Sequence, residues 1–385
     1  MTRTSRGSRV AAILATAALG LSACGGTTDE GGGTDTTGGT QAACDLKIGF
    51  FGALTGPAAG LGIAIEKGVE LAVNQYNDQN SDCPVELVTY DSQGSETQAG
   101  PLARQAVQDD KVIGIVGPAF SGESAAVDPT FNEAGLPAIT ASATDPALST
   151  EGWETFFRIL GNDATQGPAA AKYIQDTIKS TKVFVMDDAT PYGLGLADQV
   201  RDTLGSSVVG EDEVQTGQTD FSASVTAVKA SGADTLFYGG YYPEAGPLIK
   251  QLRAANWTGT FVTADGVKDP AFIEAAGKAA AEGTIITCPC LPPDASPQFL
   301  SDYKAAFHAD PGTYGPEAFD AANVFLDGIA SGIDTRPDML DFVKNYDEQG
   351  VTKVVAFDSN GESKNIIVWA YKVENGEIVA LNEIT

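Results

Sequence analysis

Histidine is all but missing from this chain: His308 is the only one among 385 residues. It falls in a predicted helix beside Asp310-Pro311, far from any candidate nucleophile, so a Ser-His-Asp arrangement has nothing to work with. Clusters of His, Cys, Asp and Glu at metal-ligand spacing are missing as well. So is the Gly-x-x-x-x-Gly-Lys-Ser string of a phosphate-binding loop, and Gly60-Leu61-Gly62 lacks both the third glycine and the preceding strand of a dinucleotide site. An enzyme is not expected, nor a cofactor or a metal. Positive charge is scarce too. Lys and Arg total 23 against 51 Asp and Glu, a formal charge of −28. A surface that negative repels phosphate backbones and anionic lipid, which argues against a nucleic-acid partner.

Long apolar runs are also lacking, and the body is expected to be soluble. The longest, Val10 to Leu21, is shorter than the ~20 residues a spanning helix needs. It follows Arg3, Arg6 and Arg9 and ends in Leu21-Ser22-Ala23-Cys24-Gly25, the layout of a secretory signal over residues 1–23. That ending looks like a bacterial lipobox, in which Cys24 takes lipid and becomes the new N-terminus. Residues 24–43 are mostly Gly, Thr, Asp and Gln, a flexible solvated tether. The expected location is the outer face of the cell membrane, held by the lipid alone. Removing the signal's three arginines leaves 20 basic residues against 51 acidic ones, −31 on the mature chain. About 340 residues then remain, enough for two domains.

Five cysteines become four once Cys24 is assigned to lipid. Outside the cell disulfides are permitted. Cys44 precedes a predicted strand at 46–51 and Cys83 one at 85–90; if those strands are parallel neighbours, a bridge is geometrically easy. Cys288-Pro289-Cys290 is the second expected pair, closing a tight ring.

From residue 46 the chain alternates short apolar strands with helical periodicity. Strands are predicted at 46–51, 85–90, 112–116 and 137–140, with helices at 62–77, 97–108 and 122–133. The pattern then restarts, with helices at 166–178, 193–204, 221–230 and 243–255 and strands at 182–187, 207–213, 235–238, 259–263 and 283–287. Helices at 298–307, 317–329 and 336–345 follow, then a hairpin-like pair at 366–373 and 377–381. Alternation of this kind argues for an α/β fold with two doubly wound parallel-sheet lobes.

Ligands of open parallel sheets bind beyond the carboxyl ends of the strands. At one such end Gly117-Pro118-Ala119-Phe120-Ser121 passes into a helix; Ser121 is placed to cap it, and the free N–H groups there suit a carboxylate. The next end, Ala141-Ser142-Ala143-Thr144-Asp145, is small and hydroxylated. In the second half Tyr192, Tyr241 and Asp265 also lie at strand ends. Tyrosine suits a cleft lining, and Asp265 before Gly266 is either a turn residue or a partner for an ammonium group.

Gly239-Gly240-Tyr241-Tyr242-Pro243-Glu244, Arg158 with Asp163-Ala164-Thr165-Gln166-Gly167-Pro168, and Tyr192-Gly193-Leu194-Gly195-Leu196-Ala197 resemble the leucine/isoleucine/valine-binding proteins of ABC transporters. Leu54-Thr55-Gly56-Pro57, residues 217–221 and Asp265-Gly266-Val267 extend the similarity to nearly the whole mature body. The resemblance implies a type I periplasmic-binding-protein fold. Residues 44–161 and 290–364 would form the N-terminal lobe, residues 162–289 and 365–385 the C-terminal one, with three hinge crossovers between them. It implies a small amino acid as ligand, branched-chain above all, permease subunits as partners, and a monomer whose cleft opens and closes. Ser121 and Thr144 would hold the α-carboxylate with backbone groups at Ser142 and Ala143. The Ser142 carbonyl, the Thr144 hydroxyl and Asp265 would hold the ammonium. Tyr192 and Tyr241 would close over the ligand, and Tyr314 would lie beside its side chain.

The chain departs from that family at the pocket wall. Leu61 stands where those members carry Trp or Tyr, Ala119-Phe120 replaces a Leu-Cys pair, and Asp265 replaces Glu. The side-chain preference is therefore open between branched-chain ligands and another amino acid or an amide. A sensor subunit of the same fold is the rival reading.

Overall fold

The computed structural model describes residues 45–384. Cys24, the tether and Cys44 lie outside them. Five strands make the first sheet: β1 (Lys47–Gly52), β2 (Glu86–Asp91), β3 (Val112–Val116), β4 (Ala138–Thr140) and β5 (Phe156–Arg158). Their order is β2-β1-β3-β4-β5 and every pairing is parallel. The runs Val112–Val116 and Ala138–Thr140 are buried throughout. Continuous apolar strands of this kind belong to a sheet covered on both faces. β1 and β2 start side by side, with Lys47 opposite Glu86. That is the adjacency on which a Cys44–Cys83 bridge depends, and Cys83 is disulfide-bonded.

The second sheet contains β6 (Val183–Asp187), β7 (Val208–Glu213), β8 (Thr235–Gly239), β9 (Thr260–Ala264) and β10 (Ile285–Cys288). All five are parallel, in the order β7-β6-β8-β9-β10. A separate antiparallel pair, β11 (Asp347–Gln349) and β12 (Val354–Ala356), stands apart from both sheets. β13 (Trp369–Glu374) then runs antiparallel to β10, and β14 (Glu377–Glu383) antiparallel to β13, completing the second sheet.

Helices α1 (Ala59–Gln79), α2 (Glu96–Gln108) and α3 (Ser121–Glu133) cover the first sheet. α4 (Asp163–Lys172), α5 (Pro191–Leu204), α6 (Ser222–Ser231), α7 (Tyr242–Ala254), α8 (Pro270–Ala276) and α9 (Lys278–Ala281) belong to the second. α10 (Pro297–Phe307), α11 (Gly315–Ala330) and α12 (Arg336–Lys344) return to the first, where α11 and α12 pack on β3. The chain thus passes between the two sheet-built halves three times: after β5, after β10 and before β13. The long contact between α1 and α11 depends on Gly68, where a Cβ would come within 2.2 Å of the Gly315 carbonyl oxygen.

Several local expectations change. β5, α8, α9 and the β11–β12 pair carry no periodicity that would reveal them, being three to seven residues long. The helix expected at 166–178 starts at Asp163 and widens into a π-type turn over Tyr173–Ile178. The strand expected from residue 366 begins at Trp369. His308 closes α10 in a left-handed conformation (φ 54°) instead of lying within it. Among the described residues no helix is long and apolar enough to cross a membrane. Cys288 and Cys290 are disulfide-bonded where the chain leaves β10.

Candidate functional site

Both sheets aim the carboxyl ends of their strands at one seam. At the end of β2, the Asp91 carboxylate takes the N–H groups of Leu54 and Thr55 at 2.9 and 3.2 Å and the Thr55 hydroxyl at 2.7 Å. This fixes the loop leaving β1, so that α1 brings Leu61 and Ile65 to the seam. The ends of β3 and β4 are sewn to each other. Thr140 Oγ1 donates to the Pro118 carbonyl at 2.7 Å, and Ser142 Oγ donates to the Ala119 carbonyl at 2.6 Å. Ser121 does not cap α3: no side-chain cap bond forms there. Its Oγ instead accepts the N–H groups of Thr144 and Asp145, both at 3.2 Å. The capping expectation fails because the cap position falls on Phe120 and Ser121 is already the first helical residue.

Behind these loops stands Arg158, fully buried at the end of β5. Its Nη1 donates to the carbonyls of Ala143 (2.8 Å) and Asp145 (2.9 Å). Nε donates to Glu362 Oε2 at 3.1 Å, and Nη2 completes a two-pronged ion pair with Oε1 of the same carboxylate. Burial by itself would raise the Glu362 carboxyl, but the Arg158 guanidinium together with the Ser149 and Asn162 side chains holds the group below its ordinary value.

The second half supplies Asp265, 3% exposed, just past β9. Gln166 Nε2 donates to its Oδ1 at 2.7 Å and Tyr192 Oη does so at 2.9 Å. Tyr192 Oη in turn accepts the Gly266 N–H at 3.0 Å. Tyr314 Oη faces the same carboxylate but lies outside hydrogen-bond geometry. Burial raises the Asp265 pKa and these donors oppose the rise. The Tyr192 and Tyr241 rings lie 5.0 Å apart, and Tyr241 meets Phe120 of the first half edge-on at 5.3 Å.

These groups enclose a narrow cavity at the seam. Leu61, Phe120, Ser142, Tyr192, Tyr241, Asp265 and Tyr314 line it, joined by Ala119 from the same strand end and by Ile65 and Gly266, to which the sequence reading gave no part in the site. Ser121, Ala143 and Thr144 form the buried layer behind Ser142. Asp265 is the one charged side chain on the lining. A larger groove of about 900 Å³ opens elsewhere, between Ile273, Pro292, Leu300 and Tyr371. Acidic and basic side chains are mixed along it, without the convergence of polar groups on apolar walls that marks a ligand site.

Sequence reading also left Arg158, Gln166 and Glu362 without roles. Arg158 and Gln166 stand in the quoted segments, yet nothing local pairs a residue with one 204 positions away. Glu123, also missed, is 1% exposed and bonded to the Ser92 hydroxyl directly behind Phe120. Burial pushes its carboxyl up to about 7 from 4.5. A carboxyl raised on folding adds stability below its unfolded pKa and loses it as pH rises through the folded one, here over pH 4.5 to 7, about 3 kcal/mol in all. Glu123→Gln is expected to lose less stability than the natural chain between pH 5 and pH 8 in urea unfolding. Equal losses would show that Glu123 is not the titrating group.

A family model described as periplasmic binding protein matches residues 45–377. The leucine-, isoleucine-, valine-, threonine- and alanine-binding protein of Pseudomonas aeruginosa is 30% identical over 340 residues, 86% of this chain and 91% of the relative. Among solved structures, the leucine-binding protein of Thermotoga maritima superposes with a TM-score of 0.81 at 26% identity, covering 88% of this chain and 99% of its own. The branched-chain amino acid transporter substrate-binding protein of Streptococcus pneumoniae, in complex with isoleucine, gives 0.80 at 27% identity, with coverages of 88% and 100%. A parallel α/β body in two sheet-built halves, a cavity at their shared seam and a match over nearly the whole body agree: the chain belongs to the periplasmic binding protein family.

Proposed function

We propose that this chain captures one small amino acid with an apolar side chain, leucine, isoleucine or valine, and delivers it to the permease subunits of an ABC importer. The observation that carries the reading is the cavity's polarity: hydroxyl and backbone groups of two strand ends at one wall, one carboxylate across from them, and apolar surface elsewhere. A zwitterion needs an anion site and a cation site a few Å apart in a water-poor cleft, where each charged hydrogen bond is strong. Ser121 and Thr144 take the carboxylate, with backbone groups near Ser142 assisting. The Ser142 carbonyl, the Thr144 hydroxyl and Asp265 take the ammonium. Leu61, Phe120 and Tyr314 form the side-chain wall.

The hinged lobes are residues 44–161 with 290–364 and residues 162–289 with 365–385. Bonds that cross the seam hold the closed form: Tyr242 Oη accepts the Gly60 N–H at 3.2 Å, and Thr313 Oγ1 donates to the Lys268 carbonyl. Ligand contacts from both lobes favour this form over an open one, and a transporter can read the difference. The protein works as a monomer outside the cytoplasm, tethered by lipid on Cys24.

Thermal shift of the body from residue 42 onward against the twenty amino acids tests the reading. A rise with leucine, isoleucine or valine supports it. A rise with another class alone would reassign the substrate to what Leu61 and Phe120 admit, and no rise with any would sink it.

A further inference from the structure

The chain crosses between its two halves after β5, after β10 and before β13, and the three crossings touch. A Cβ on Gly161, in the first, would lie 2.7 Å from Ile366 Cγ2 in the third and 3.6 Å from Pro289 Cβ in the second. Pro289 is buried at that meeting point. It is also the middle residue of the ring closed by the Cys288–Cys290 disulfide, whose two cysteines are fully buried. Neither cysteine lines the cavity at the seam.

The ring fills the span between two anchors. On one side Thr287 lies in β10 of the second sheet, and its carbonyl takes Gln166 Nε2 at 2.9 Å. On the other, the Leu291 N–H donates at 2.7 Å to Glu317 Oε1 of α11, on the first half. Any bending of this crossing therefore falls on residues 288–290. Pro289 has its φ fixed by its own side chain, and the disulfide ties the residues on either side of it to each other. Tyr371 Oη of β13 donates to the Cys290 carbonyl at 2.9 Å. Residues 159–162 and 357–368, the first and third crossings, contain neither cysteine nor proline.

We propose that the Cys288-Pro289-Cys290 ring is a stiff pivot: the second crossing keeps one shape as the cleft opens, and the first and third bend around it. The inference rests on the reading of two lobes that open and close, and not on which ligand closes them. Its consequence is entropic. A crossing that cannot bend leaves fewer open arrangements to be given up on closing, so more of the ligand's contact energy appears as affinity. The pivot also reaches the ligand site, because the Gln166 amide that donates to the Thr287 carbonyl donates to Asp265 Oδ1 at 2.7 Å as well.

The test compares the natural full chain with Cys288→Ser/Cys290→Ser and, to avoid buried hydroxyls, with Cys288→Ala/Cys290→Ala. X-ray scattering of the ligand-free chain reads the spread of open forms. Calorimetry and stopped-flow release read binding of leucine, or of the amino acid that the thermal-shift screen returns. Both pairs are expected to show a larger ligand-free radius of gyration and the natural value once ligand saturates. Their Kd should rise roughly 3- to 30-fold, mostly through faster release. Pro289→Gly separates a pivot from a plain staple. With the ring intact it should change Kd less than about three-fold, and on the Cys288→Ser/Cys290→Ser background it should raise Kd by about three-fold or more beyond that pair. Equal effects of Pro289→Gly with and without the ring would overturn the proposal, as would natural scattering and natural Kd in both pairs, or failure of both pairs to fold. A raised Kd with natural scattering would put the effect in the cleft and overturn it too. If the natural chain binds no amino acid, the functional reading falls, and the scattering comparison alone still decides the pivot.

Discussion

Replacing Asp265 by alanine is expected to weaken amino-acid binding by about 1.5–3 kcal/mol, the worth of a hydrogen bond to a charged group. That is roughly a 10- to 150-fold rise in Kd. The size follows from the position. Asp265 is the charged side chain on the cavity lining, it is 3% exposed, and Gln166 and Tyr192 hold it in one orientation. A carboxylate so placed is scarcely screened and pays no ordering cost when ligand arrives. Asp265→Asn should fall between the natural chain and Asp265→Ala, because it keeps the shape and one acceptor but loses the charge. Titration calorimetry with leucine, isoleucine or valine measures both. If affinity is unchanged in Asp265→Ala, the ammonium is held elsewhere in the cleft.

Arg158→Met should be the most damaging single change to the fold near the site, at about 3–5 kcal/mol, the cost of orphaning one member of a buried ion pair. It strips the Glu362 carboxylate of its guanidinium, leaves the Ala143 carbonyl without its donor and leaves the Asp145 carbonyl with the Leu148 N–H alone. Those carbonyls belong to the loop that presents Ser142 and Thr144, so leucine affinity should fall along with stability. Arg158→Met with Glu362→Met should lose less stability than Arg158→Met alone, because no charge is then stranded. A double variant as unstable as the single one would mean that Arg158 acts through the two carbonyls and not through Glu362. The pair also carries a pH signature. Glu362 sits below its ordinary pKa, so its contribution is present above the unfolded value and is lost as acid titrates the folded group.

Periodicity along the chain was enough for the layered α/β body. Val112–Val116 and Thr235–Gly239 are short apolar runs bounded by Gly, Pro or Asp, and each became a strand buried on both faces. Helices with a clear apolar face, such as α1 and α11, were legible to within a turn. These features are local: burying a run of six residues, or one helical stripe, depends on side chains that are near neighbours in sequence. The same holds for the general location of the site, because strand ends are visible wherever an apolar run gives way to Gly, Ser or Asp.

Which side chains meet there was a tertiary decision. Ser121 stands where a helix cap is expected, yet its hydroxyl serves Thr144 and Asp145, 23 and 24 residues on, because β4 lies against β3. β5 has only three residues, too few for any pattern, but it carries Arg158 to a carboxylate 204 positions away. Gln166 reads as one more polar residue on a helix until β9 and β10 place Asp265 and Thr287 on either side of its amide. By itself, the sequence determined the layers, the order of elements and the chemical class of residues at the strand ends. Only the folded chain decided their partners, since a hydrogen bond of 2.7–3.2 Å depends on the packing of whole sheets and not on spacing along the chain.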